Sequence, residues 1–206
     1  MSKQRLLKDA LFLCNHRYQS GNPYETIQEQ IRQEIINDRI KNRELNREEF
    51  NNLVFMEPPS TDSLLGYLAP KNKSRTLTDV ADRLLEVTDR CLTGDATSTP
   101  IEIFKCASNL DPWFESCFII SARFNPKLLG DLLVRPLYGD DKKYHSNPEN
   151  KLYIDDGNHR ALVYIVFLKF DVWQYELAPV NIIQSTDFFH HLPWGHHELT
   201  DKKLRK

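Results

Sequence analysis

Glycine is scarce in this chain, seven residues against eleven prolines in 206, so its connections are punctuated and stiff rather than floppy. Long apolar runs are missing too. The most apolar stretch, Ala161 to Leu168, is far too short to cross a bilayer, which takes roughly 20 residues. A secretory pattern is absent: Lys3, Arg5, Lys8 and Asp9 sit among the leucines, and no small-residue cleavage site follows. A cytoplasmic location, with no membrane partner, is the expectation. The four cysteines (Cys14, Cys91, Cys106, Cys117) have neither metal-type nor redox-type spacing and are expected to be reduced and packed. The formal net charge of −2 excludes the footprint of a general DNA-coating protein. One local basic run, Lys202, Lys203, Arg205 and Lys206, reads as a solvated end. There is no internal repeat and no low-complexity tract. What is present, 40% hydrophobic and 27% charged residues, suits one substantial domain or a small domain with a helical lobe.

The first ninety-odd residues read as helices. Leu6, Leu7, Ala10, Leu11 and Cys14 recur at helical spacing, and Asn22, Pro23 and Glu25 form a helix start. Ile27, Ile31, Ile35 and Ile40 then make an apolar stripe opposite polar Gln28, Arg32, Asp38 and Lys41, a face suited to internal packing or to a homodimer or protein partner. Asn46 with Glu49 reads as a capping box, and Pro58 and Pro59 end the helix it opens. A further amphipathic helix spans about Leu77 to Leu92, and Gly94 to Pro100 is the best boundary.

Beyond Pro100 the texture changes. Ile101 to Phe104 reads as a short strand, and Asp111 with Pro112 opens a helix through Trp113, Phe114, Cys117 and Phe118, with Phe118 to Ile120 reading equally well as strand. Asn125 and Pro126 start a short helix carrying Leu128, Leu129 and Leu132. Strands are expected at Leu133 to Tyr138, Lys151 to Asp155 and Trp173 to Ile183, with a helix from Asn158 to Phe170. These expectations give an N-terminal helical lobe (1–96), an α+β or α/β domain with a mixed sheet (100–185) and a tail (186–206).

The chemistry concentrates between Leu152 and Phe170. Leu152, Tyr153 and Ile154 are strand-like, Asp155, Asp156 and Gly157 make a turn, and Ala161, Leu162, Ile165 and Leu168 have helical spacing. Gly157 permits a positive φ and close approach to the backbone. The first helical turn presents unpaired N–H groups where the helix dipole favours an anion. His159 and Arg160 flank that end, and arginine offers a planar fork of donors suited to phosphate. A plainer reading stands beside it: Asp156 as a cap, Gly157 as the turn glycine and Arg160 as a salt-bridged surface residue.

The stretch Asp156-Gly157-Asn158-His159-Arg160-Ala161 resembles the signature of the ParB/sulfiredoxin superfamily, with Leu133-Val134-Arg135-Pro136-Leu137 resembling the preceding strand. The likeness covers about Ile101 to Ile183. It implies that Gly157, Asn158, His159 and Arg160, with Arg135, bind the phosphates of ATP or another NTP. Sulfiredoxin chemistry needs a cysteine just before the His-Arg pair, and Asn158 stands there. The DNA-binding module of partition proteins does not fit in the residues after Phe170. Members of the free-serine-kinase and plasmid nuclease/ATPase type fit best. By that resemblance His159 and Arg160 stabilise charge on a transferring phosphoryl group, and Asp155 or Asp156 acts as general base. Glu102 is a weaker candidate base, and Mg²⁺ accompanies the nucleotide.

Several features stand apart from the turn. His190, His191, His196 and His197 could bind a metal, although adjacent pairs cannot point one way on a regular element. The loop Asp140 to His145 could cover a nucleotide. Trp113, Phe114, Phe188, Phe189 and Trp194 are core residues or base-stacking platforms. Two function classes follow. One is an NTPase, phosphotransferase or nuclease; the other is a non-catalytic, nucleotide-gated module that binds DNA or protein.

Overall fold

Side-chain caps decide where the helices begin. The computed structural model describes residues 40–56, 58, 60–89, 99–137 and 139–184. Asn46 accepts from the Glu49 amide at 2.9 Å while the Glu49 carboxylate accepts from the Asn46 amide at 3.0 Å, so helix α1 (Arg47–Asn51) starts at the expected capping box. Helix α2 (Leu64–Leu68), which the sequence did not announce, is capped by Ser63. Helix α3 (Leu77–Asp89) forms where an amphipathic helix was expected and buries Leu77, Val80, Ala81 and Leu84.

Three local expectations are corrected. Ile101 to Phe104 is not a strand: it lies in helix α4 (Pro100–Leu110), opened by Thr99 and Glu102 as a capping box with Pro100 in the first turn. Four residues with three apolar ones fit either period, and the cap tips the balance. Glu102 is therefore a helix-capping residue. Ile40 does not close a helical stripe but begins strand β1 (Ile40–Leu45). Leu132 starts strand β2 (Leu132–Pro136) instead of extending the helix after Asn125, of which only the 3₁₀ turn Pro126–Leu128 forms. Asp111 opens the 3₁₀ turn Pro112–Phe114, and helix α5 (Glu115–Ser121) follows.

Strand β3 (Leu152–Asp156), helix α6 (Asn158–Lys169) and strand β4 (Ala178–Ile183) complete the fold, β4 beginning at Ala178 rather than Trp173. The strands form one sheet in the order β1-β4-β2-β3. β2 and β3 are antiparallel, and their register shifts between Leu133 and Val134, which places a bulge at Asp155. Beyond β3 the backbone of Val54 bridges to Tyr153 on one side and Thr76 on the other. Helices with a four-stranded sheet make an α+β fold. Helix α6 is buried from Ala161 through Leu168, with α3, α4 and α5 packed against it. Apolarity on every side is what a central helix requires.

The chain divides into two compact units, residues 1–43 with 181–206 and residues 44–180, so the division falls inside β1 and inside β4. In the first, the Asn42 amide donates to Asn181 Oδ1 at 3.2 Å. Every feature discussed below belongs to the second. No described helix is long and apolar enough to cross a membrane. The helices expected before Ile40, most of the Gly94–Pro100 segment, the C-terminal histidines and the basic tail lie outside the described residues.

Candidate anion-binding turn

The β3–α6 connection is as tight as its sequence implied. Gly157 takes φ +96°, a left-handed conformation, and no side chain caps the first turn of α6. Ala161 N–H closes the first helical bond to Gly157 at 2.9 Å. The N-terminal end of a twelve-residue helix, with Asp156, His159 and Arg160 around it, is thus assembled at one corner.

The side chains at that corner are held more firmly than a simple phosphate cradle requires. Asn158 is buried: its side chain donates to the Ile154 carbonyl at 3.2 Å and accepts from the Met56 amide at 3.0 Å. It therefore ties the segment beyond β3 to the helix start. Arg160 donates to the Leu129 carbonyl, to the Asp131 carbonyl at 3.4 Å and to Asp156 at 3.4 Å. Its guanidinium lies over two left-handed glycines; a Cβ on Gly130 would meet Nη1 at 2.7 Å, and one on Gly157 would meet Nη2 at 3.0 Å and Leu132 Cδ2 at 2.5 Å. Arg160 clamps the 129–131 loop onto the turn while keeping its charge at the helix end. The ring of His159 stacks on Trp113, with centroids 4.0 Å apart and planes at 21°, and Trp113 meets Phe55 and Phe114 edge-on.

Arg135 and Asp155, expected as a phosphate ligand and a general base, face each other instead. Arg135 Nε donates to Asp155 Oδ1 at 3.1 Å, both side chains are almost fully buried, and the guanidinium lies 4.2 Å above the Tyr153 ring. The register explains this: Arg135 sits opposite Tyr153, and Asp155 lies two residues along the same strand. A buried carboxylate neutralised by arginine cannot offer itself to magnesium, and Asp156 is already paired with Arg160. The two carboxylates do not fit a protein-held Mg²⁺ site. Among the described residues no cluster of three metal-capable side chains occurs.

The loop 139–150 is misplaced for a lid over Gly157. It joins the end of β2 to the start of β3, and the pairing of Pro136 with Leu152 puts it at the opposite end of the hairpin from Asp156. There Asp141 pairs with buried Arg75 at 2.9 Å, and His145 is itself buried. Cys117 is also buried, its thiol pushed well above the usual range by loss of solvent, and Cys106 is half-buried. Asp111, expected to open a helix, accepts from Trp113 N–H at 3.0 Å and also from Leu65 N–H at 3.0 Å. Two buried polar side chains carried no signal in the sequence, Arg75 and Lys151.

No family model matches the chain, and no match was found among curated proteins or solved structures. The resemblance at 156–160 rests on its own residues.

Proposed function

We propose that the protein binds a nucleotide through its phosphates at the β3–α6 turn, as a member of the ParB/sulfiredoxin-like group. The observation that carries this reading is the start of α6: a left-handed glycine, a first turn without a side-chain cap, and the positive charge of Arg160 fixed beside it. The helix N–H groups and His159 make the direct contacts. Arg160 acts as the group that shapes and polarises the corner, because three of its contacts are with the protein itself. Magnesium arrives with the phosphates as their counter-ion. Trp113, already under the His159 ring, extends an aromatic surface toward a base. Hydrolysis or phosphoryl transfer, including attack on DNA, is the catalytic form of this reading; a nucleotide-gated switch is the non-catalytic form.

A second reading has its own support. Gly157 and Asn158 are buried and Arg160 is engaged, which suits a turn whose work is structural. Thermal shift and titration calorimetry with ATP, CTP and ADP, with and without Mg²⁺, separate the two. Ligand at a hundredfold its Kd adds about 2.7 kcal/mol, equivalent to roughly 5–10 °C in Tm for a chain of this size. His159→Gln is expected to remove most of that shift. An unchanged Tm with every nucleotide assigns the turn to structure alone. Phosphate release or nicking of supercoiled DNA then distinguishes enzyme from switch.

A further inference from the structure

The connection between β2 and β3 sends Asp141 and His145 into the body of the protein, and histidine is the side chain that ordinarily titrates near neutral pH. It runs through two 3₁₀ turns, Gly139–Tyr144 and Pro148–Asn150, with left-handed Asn147 (φ +50°) between them. Asp140, Lys142 and Lys143 are exposed, whereas Asp141 pairs with Arg75 Nη2 at 2.9 Å. His145 turns inward and is only 7% exposed, and its backbone N–H donates to the Lys142 carbonyl at 3.4 Å.

The surroundings of the imidazole suit it only while it is neutral. Neither Nδ1 nor Nε2 has a hydrogen-bond partner among the described residues, so the ring is packed as an aromatic body. The charged groups acting on it are Arg75 and Asp79 at the start of α3, Lys151 before β3 and Asp141 on its own connection. Both carboxylates are committed. Asp141 holds Arg75, and Asp79 accepts from the Ser74 hydroxyl, from Thr76 Oγ1 at 2.7 Å and from Thr76 N–H at 3.2 Å. Arg75, 1% exposed, gives Nη1 to the Lys71 carbonyl at 3.2 Å and leaves Nε without an acceptor. Acceptors are therefore already short. A second proton on His145 adds a buried charge and a donor with nothing to receive either. Burial, and then the Arg75 and Lys151 charges, hold the imidazole below its ordinary range, against Asp141 and Asp79.

We propose that His145 is a pH-sensitive catch: protonation expels its ring and releases the 139–150 connection while the rest of the fold stays closed. Release parts Asp141 from Arg75 and brings that buried guanidinium to solvent. It also takes Ser146 from the wall of the open cavity that it lines with Arg47, Glu48, Asp79 and Lys151. A base kept neutral in the closed form gains a proton on opening. Closure is thus complete above the ordinary imidazole value, about 6.5, and weakens as pH falls toward the lower value of the closed form. One proton per opening raises the open fraction by at most about tenfold per pH unit in that window.

Hydrogen–deuterium exchange of the full-length chain tests this between about pH 8 and pH 5, where imidazoles titrate. Rates are corrected for intrinsic exchange at each pH. Protection at the His145 amide and its neighbours is expected to fall, by at most about tenfold per unit below about pH 6.5, while α6 keeps its own. His145→Phe, which fills similar space without a titrating nitrogen, should keep protection level across the range. His145→Gln should be less protected and equally level. In the unaltered ¹⁵N-labelled chain, the His145 ring nitrogens should change protonation together with the loss of protection. Level protection in the unaltered chain overturns the proposal, and so does the same acid loss in both variants. Loss of α6 protection in step with the connection also overturns it, since the whole fold is then opening. No nucleotide enters the experiment, so its outcome is independent of the glycine turn.

Discussion

Arg135 shows how a residue that looks like a ligand can be a structural pin. Its guanidinium is divided between Asp155, the Pro136 carbonyl and the Tyr153 ring, all within two neighbouring strands. Removing one partner of a buried pair leaves an uncompensated charge, typically a loss of about 3–5 kcal/mol, whereas replacing both by apolar groups is often neutral or better. Arg135→Leu is therefore expected to lower stability to urea by about that amount, and Arg135→Leu with Asp155→Leu to recover much of it. If the single change is silent while nucleotide affinity collapses, Arg135 is a ligand after all. Arg160 differs from it in exposure: it keeps contact with solvent while clamping the 129–131 loop, and so can polarise a bound anion. Nothing in the sequence around either residue separates these two arginines: the β2–β3 register sets Arg135 beside Asp155, whereas Arg160 stands in the first turn of α6.

Elements were legible where their signals were local. Asn46 with Glu49 marked α1 because both halves of a capping box lie within one helical turn. Gly157 marked the β3–α6 turn because only a residue without Cβ fits a left-handed corner under Leu132. Ile101 to Phe104 and Ile40 were misread because short apolar runs satisfy both the helical and the strand period until a cap or a partner strand chooses. The start of α3 makes the same physics testable. Burial raises the Asp79 pKa, but hydrogen bonds from the Ser74 and Thr76 side chains and the Thr76 amide, with the Arg83 charge, outweigh it and the net shift is downward. A carboxylate depressed in the fold contributes stability that is complete above its unfolded value, about 3.9, and is lost as pH falls through the folded one. Asp79→Asn should thus destabilise the protein at neutral pH and cost progressively less below about pH 4. Urea midpoints measured across that range decide it; a penalty independent of pH means the carboxylate contributes only its shape.

At the scale of the whole molecule, β3 separates two polar corners that the sequence could not relate. One is contiguous in the chain, from Asp156 to Arg160, and was visible as a motif; the other gathers Arg47, Glu48, Ser74, Asp79, Ser146 and Lys151 from distant segments. Only the hairpin register reveals that the 139–150 loop serves the second corner. The same long-range logic governs stability in base. The Tyr164 hydroxyl of the central helix accepts from Glu176 N–H at 2.6 Å, and Tyr175 donates to the Leu45 carbonyl at 2.7 Å, their rings stacked 5.8 Å apart. These two hydroxyls tie the central helix and the end of β1 to the approach into β4. Burial pushes Tyr175 up to about 12, with Ala178 N–H opposing and Tyr164 adding, and burial likewise raises Tyr164. A raised folded value means the stabilisation is complete below the unfolded pKa of about 10 and disappears as pH rises through the folded one. Unfolding followed by circular dichroism should therefore set in between these two values, as phenolates form and the Leu45 carbonyl loses its donor. Tyr175→Phe should be less stable at neutral pH yet lose less further stability over that interval. An alkaline transition of the same depth in the variant would place the sensitivity in some other group.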